Sequence, residues 1–280
     1  MINKKYKDRL FCLLFGNEEY KDNILSLYNA LCNTSYTNTD DIQIYTIEDV
    51  IYIKMKNDVS VLLDSFLYLW EQQSTFNPNM PIRGLLYFGK MYDKYITENH
   101  LNIYGKTLIK LPTPKYTVLY NGMDEQPAFM QLRLSDSFIN PDTSGDFEWT
   151  ANMINLNDGK NDDLLDKCQP LKEYMILINE IRKNSVSMGF EDAVDTAVTY
   201  CIEHNVLKRF LLKHRAEVLD MCITEYNEKS FVDGIREEGR KEGQNLLATV
   251  VLRLRNGETP EQILSSGVDA KTIELAETIK

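Results

Sequence analysis

The chain lacks several things that the commonest site chemistries require. Its five cysteines, Cys12, Cys32, Cys168, Cys201 and Cys222, form no Cys-x-x-Cys pair, and its three histidines, His100, His204 and His214, no His-x-x-x-His pair. Neither a structural zinc site nor a disulfide framework is expected, and the cysteines read as reduced core residues. No Gly-rich phosphate cradle and no local signature of a catalytic triad occurs. No apolar run reaches the ~18–20 residues of a membrane span; the longest are broken by Asp64, Glu71 and Lys90. Residues 1–9 are polar, with no hydrophobic stretch of the signal-peptide kind behind them. A cytoplasmic protein with no membrane partner is the expectation.

What is present is ordinary globular composition: 280 residues, 43% hydrophobic and 26% charged, enough for one large domain or two modest ones. Acids exceed bases, 42 to 31, for a net charge of −11. Apolar periodicity predicts helices over 4–15 and 20–32, the first closed by Gly16. Strands are predicted over about 42–54, 57–63 and 66–73, followed by a helix over about 80–98. Further strands are expected at 115–121, ending at Asn121-Gly122, and near 129–135 and 147–156. From about 160 the pattern is helical, over 163–183, 191–204 and 206 through the 220s. This order predicts an α/β (α+β) protein, a mixed central sheet flanked by helices, with a helical C-terminal half.

Residues 234–244 carry Gly234, Gly239 and Gly243 among alternating charges. They read as a solvated linker or marginal helix, or as an arm through which a homo-oligomer forms. Thr259-Pro260 and Asp269 open two short helices.

The most informative stretch is 57–75. A hairpin turning around Asp64-Ser65 pairs Leu63 with Phe66, Val61 with Tyr68 and Asp58 with Glu71. Opposed residues share a face with Cβ atoms about 4.5–5.5 Å apart, and period-two alternation brings Gln73 to the same face. Like charges at that spacing repel unless a cation lies between them. Oxygen ligands without nearby His or Cys suit Mg²⁺ or Mn²⁺, ions that assist phosphodiester hydrolysis. The spacing fits two solvent-exposed strand ends as well. On the next helix Arg83, Tyr87, Lys90 and Lys94 fall on one side, opposite Leu85, Phe88, Tyr92 and Ile96. That stripe reads either as a contact tracking a DNA backbone or as the solvated side of an amphipathic helix.

The pattern Asp58-Val59, Glu71-Gln72-Gln73-Ser74, Met80, Arg83 and Tyr87 resembles the core of the Rpn-type recombination-promoting nucleases and putative transposases, within the PD-(D/E)XK superfamily. Lys7-Asp8-Arg9-Leu10-Phe11 with Phe15-Gly16, the segment 114–122 and the Gly/Arg/Glu stretch at 234–243 are similar to the family's flanking segments. The resemblance implies a restriction-endonuclease-like core over 1–158, a helical region over 159–232 and a charged linker with short helices over 233–280. It implies a metal-dependent DNA endonuclease with Asp58 and Glu71 as metal ligands. Gln73 stands where the superfamily usually has Lys; it can orient water but supplies no charge, which leaves Arg83 as the candidate cation. A helix-borne third acid would be Glu18 or Glu19.

Two functions follow as expectations: a Mg²⁺-dependent nuclease of recombination or mobile-element biology, or a nuclease-fold DNA-binding scaffold without catalytic competence. A regulator acting through its helical half ranks below both. The acidic net charge is not a local obstacle, since residues 56–120 hold seven Lys/Arg against five acids.

Overall fold

The computed structural model describes residues 5–45, 58–63, 65–142 and 144–279, with side chains at all of these but 5, 223–239, 241–242 and 245. The chain divides into two units, Met1–Ile223 and Thr224–Lys280.

In the first unit, α1 (Lys5–Phe15) buries Tyr6, Leu10, Phe11, Leu14 and Phe15, and α2 (Lys21–Cys32) buries Ile24, Leu25, Leu27 and Tyr28. Asn33, at φ 52°, ends α2 in the left-handed conformation that halts a helix. β1 (Gln43–Ile44), β2 (Val59–Leu63) and β3 (Phe66–Gln73) form an antiparallel meander. The observed pairs Val59–Trp70, Val61–Tyr68 and Leu63–Phe66 are the predicted register. The rest of the strand expected over 42–54 and the turn residue Asp64 lie outside the described residues.

α3 (Met80–Glu98), with Pro81 in its first turn, carries the chain back so that β4 (Thr113–Tyr120) lies parallel to β3. β6 (Thr150–Asn155) is parallel to β4 and pairs antiparallel with β5 (Phe129–Arg133) at the edge. The six strands follow the order β1-β2-β3-β4-β6-β5. The expected mixed sheet flanked by helices is therefore the architecture found.

Alternation in the strands builds two cores. On one face Val59, Val61, Tyr68 and Trp70 pack with α1, α2 and the later helices α4 (Asp162–Lys167), α5 (Gln169–Asn184) and α6 (Phe190–Glu203). On the other, Leu67, Leu69, Val118 and Met153 pack under Met80, Tyr87, Phe88 and Met91 of α3. Gly84 lets α3 approach closely, because a Cβ there would stand 2.4 Å from the Tyr116 ring.

The helical segment expected after 158, packed on or following the sheet, shares its core with it through α4, α5 and α6. The single helix predicted over 163–183 is split at Cys168, since Pro170 belongs in a first turn and not inside a helix. α7 (Lys208–Arg255) departs from helical dihedrals at His214. Its backbone stays helical through 234–244, where a linker was one expectation. In the second unit α8 (Pro260–Ser265) and α9 (Ala270–Ile279) join the end of α7 around Val250, Val251, Leu254, Ile263, Ile273 and Ala276. Among the described residues no helix is long and apolar enough to cross a membrane, and all described cysteines are free thiols.

Candidate active site

The hairpin register sends Glu71 to the α3 side of the sheet, at the end of β3 where α3 begins. Its side chain is wholly buried. Arg83, one turn into α3, places Nη2 2.9 Å from Glu71 Oε2 and donates to the Tyr87 hydroxyl at 3.1 Å. The Tyr116 hydroxyl stands 3.5 Å from the same carboxylate oxygen. The other oxygen, Oε1, is buried without a hydrogen-bond partner. Burial, reinforced by the charge of Asp58, pushes the Glu71 carboxyl up to about 8, and Arg83 opposes the shift. The direction is therefore upward despite the ion pair: desolvation and the second acid outweigh one guanidinium.

Asp58 directly precedes β2, and its Oδ2 accepts from the Gln72 backbone N–H at 2.7 Å. Its backbone carbonyl meets the Cys12 thiol of α1 at 3.3 Å. The two acids are close enough for Asp58 to perturb Glu71, as the register predicts. Gln73 lies two residues beyond Glu71 in the same alternation and is half-buried. Its carbonyl accepts from the Asn121 N–H at 3.0 Å, while its side-chain amide makes no hydrogen bond among the described residues.

Two groups of expected site residues are placed elsewhere. Glu18 is 67% exposed and pairs with Lys21 at 2.7 Å, and Glu19 pairs with Lys213 at 2.5 Å, so neither joins the acid pair. The short helical turn they start (Glu18–Tyr20) faces α7 instead. Two helix acids share a surface hollow of about 250 Å³ with Asp58: Asp8 of α1, beside Arg9, Cys12 and Leu13, and Glu217 of α7, which also contacts His214. The i, i+4 spacing of Asp8 and Cys12 on α1 was the available signal.

The expected DNA-facing stripe on α3 is also corrected. Tyr87 is only 2% exposed, and the Lys90 ammonium is buried with no hydrogen-bond partner. Lys94 alone stays in solvent, 4.0 Å from Glu98 and over the Tyr45 ring at 4.4 Å. The reason is the buried Glu71: it needs donors, and the Arg83–Tyr87 edge of the helix turns inward to supply them.

Behind the hairpin, on the α1 side, lies a polar group that spacing did not suggest. Gln72 Nε2 donates to Asn121 Oδ1 at 2.8 Å, and the buried Lys7 reaches the same oxygen at 3.4 Å. Asn121 Nδ2 donates to the Tyr174 hydroxyl at 3.3 Å, and Arg182 donates to the Asn121 carbonyl. This network fixes the ends of β3 and β4, and with them the backbone N–H that holds Asp58.

Among the described residues no group of three or more His, Cys, Asp or Glu side chains is gathered to hold a metal ion. The acid pair still fits a hard divalent cation. Mg²⁺ is commonly held by one or two carboxylates, with waters and substrate phosphates completing its shell. A buried carboxylate oxygen without a donor, in a carboxyl driven upward, marks a place short of positive charge. Comparisons of the chain with protein-family models, with curated proteins and with solved structures find no match.

Proposed function

We propose that the chain is a metal-dependent DNA endonuclease, in keeping with its resemblance to the Rpn-type nucleases. The observation that carries the reading is Glu71: fully buried, lacking a partner at Oε1 and near enough to Asp58 to be pushed upward by its charge. A sheet has no structural use for such an acid pair, whose mutual repulsion and desolvation oppose folding.

Asp58 and Glu71 would hold Mg²⁺ or Mn²⁺. When bound, that ion supplies Lewis-acid polarisation of a phosphate oxygen and a lowered pKa for water. Gln73, with its uncommitted amide, orients the attacking water by hydrogen bonding. Arg83 holds Glu71 in place through Nη2, and its guanidinium is the cation nearest the acid pair to counter charge on a scissile phosphate. Asp8 is the acid best placed to assist from α1.

A second reading has its own observation. Arg83 already occupies Glu71 Oε2 at 2.9 Å, and Gln73 brings no charge. A site so filled suits a DNA-binding scaffold that has lost cleavage. Nicking of supercoiled plasmid separates the two. Wild type is expected to nick with Mg²⁺ or Mn²⁺ and not in chelator, while Asp58→Ala and Glu71→Gln each lower the rate at least ~100-fold, the scale of losing a charge-stabilising group. Plasmid binding without metal-dependent nicking selects the scaffold.

A further inference from the structure

The 99–112 segment joins α3 to β4 at the end of β3 opposite Glu71. Thr113 pairs with Phe66 and Val118 with Glu71, a separation of about 17 Å along the strand at ~3.3 Å per residue. Both ends of the segment are tied down: Leu101 N–H donates to the Ile96 carbonyl at 2.9 Å, and the Tyr92 hydroxyl donates to the Pro112 carbonyl at 2.8 Å. Its tip is built. Asn102 accepts from the Tyr104 N–H at 3.0 Å through its side chain and from the Gly105 N–H at 3.2 Å through its carbonyl.

This fixed tip displays what soluble surfaces hide. Tyr104 is 92% exposed, Leu108 79% and Ile103 53%. Along this stretch of chain the charge has one sign. No acid occurs from Asn99 to Met123 in a chain with 42 acids, while Lys106, Lys110 and Lys115 fall inside that run. None of the three forms an ion pair among the described residues, and Lys115 lies over the Phe66 ring at 5.7 Å. Lys110 also rims a hollow of about 280 Å³ with Asp41, Gln43, Leu62, Tyr95 and Pro112.

We propose that the 99–112 loop binds single-stranded nucleic acid, with a base stacked on Tyr104 and phosphates held by Lys106 and Lys110. Charge complementarity demands an anionic occupant. An exposed aromatic two residues from one lysine and six from another suits bases alternating with phosphates. The adjoining hollow favours a base over an acyl chain, because Asp41 and Gln43 offer hydrogen bonds to a base edge. The proposal deepens the nuclease reading, and rests on it only for taking the polymer to be the strand that is cut. A path of ~17 Å places the loop a few nucleotides from Glu71.

The test is fluorescence anisotropy with the full chain in chelator, which removes cleavage from the measurement. The probes are labelled oligothymidylate and oligouridylate of about 15 nucleotides, which separate DNA from RNA as the ligand. Tyr104→Ala is expected to weaken binding about 5- to 150-fold, the range of one stacked base. Lys106→Ala with Lys110→Ala is expected to flatten the slope of log affinity against log salt by roughly 1.4, at 0.7 per phosphate contact on a single strand. The three side chains are exposed, so matching far-ultraviolet circular dichroism is expected in all variants. Unchanged affinity in both variants overturns the proposal, as does a wild type that floats with phosphatidylserine vesicles and ignores both oligonucleotides. Tyr104-dependent binding by a chain that nicks no plasmid refutes the nuclease and leaves this surface standing.

Discussion

Glu71 and Gln72 are neighbours on β3, both wholly buried, and they face opposite sides of one sheet. Gln72 enters a network in which Asn121, Lys7, Tyr174 and Arg182 share donors and acceptors over short distances. Glu71 enters a site with a second acid nearby, one guanidinium and an oxygen left over. A hydrogen-bonded amide costs little to bury, whereas a carboxyl in the same dielectric is forced toward its neutral form. Gln72 Oε1 is itself buried without a partner, so the contrast is one of charge: the back of the strand buries a neutral amide, and the front buries a carboxyl beside a second acid, a deficit that a proton or a cation relieves. The contrast locates function more sharply than the presence of polar residues does.

The largest effect that tests this contrast is in the pH dependence of folding. Glu71 has a folded value of about 8 against an ordinary value of 4.5. Between these the folded chain binds more protons than the unfolded one, so the raised acid makes stability fall as pH rises through the window. The loss expected is several kcal/mol, at ~1.4 kcal/mol for each unit of pKa difference. Urea melts from pH 5 to about 8 should show a downward trend that Glu71→Gln flattens. Mn²⁺ should flatten it in the wild type, by taking the place of the proton. A slope unchanged by Glu71→Gln would mean the front face carries no deficit.

The back face answers to a different change. Asn121→Ala removes the hub between Gln72, Lys7 and Tyr174 and is expected to cost about 2–3 kcal/mol through stranded buried groups. Unlike Glu71→Gln, it should leave the pH slope intact. If it moved that slope, the two faces would be one coupled system.

Much of this was legible in order along the chain. Alternating apolar residues gave the hairpin register, because a slip of one would turn Tyr68 and Trp70 out of their core. The helix expected over about 80–98 is α3, with Pro81 in its first turn. The break at Cys168 was not read, although Pro170 marks the first turn of a new helix. What local spacing could not reveal was which side of α3 meets the sheet. A helical wheel put Arg83 and Tyr87 in solvent, and their inward turn follows from an acid on another element. Asn121 and Lys7, 114 residues apart, meet only once β4 and α1 are assembled. Helix persistence through Gly234 and Gly239 likewise runs against local propensity.

The smallest expected effect separates the acids near the hairpin from those that only share its sequence neighbourhood. Glu18 is 67% exposed and bonds Lys21, three residues away on the same short helical stretch. A pair of that kind contributes about 0–0.5 kcal/mol, and less in high salt. Glu18→Ala should therefore leave the urea midpoint and the rate of plasmid nicking within error of wild type. Asp8→Asn, in the hollow shared with Asp58, should slow nicking in the same assay. Reversal of that order, with Glu18 mattering and Asp8 silent, would move the third acid to the Glu18–Tyr20 turn and break the grouping of Asp8 with Asp58.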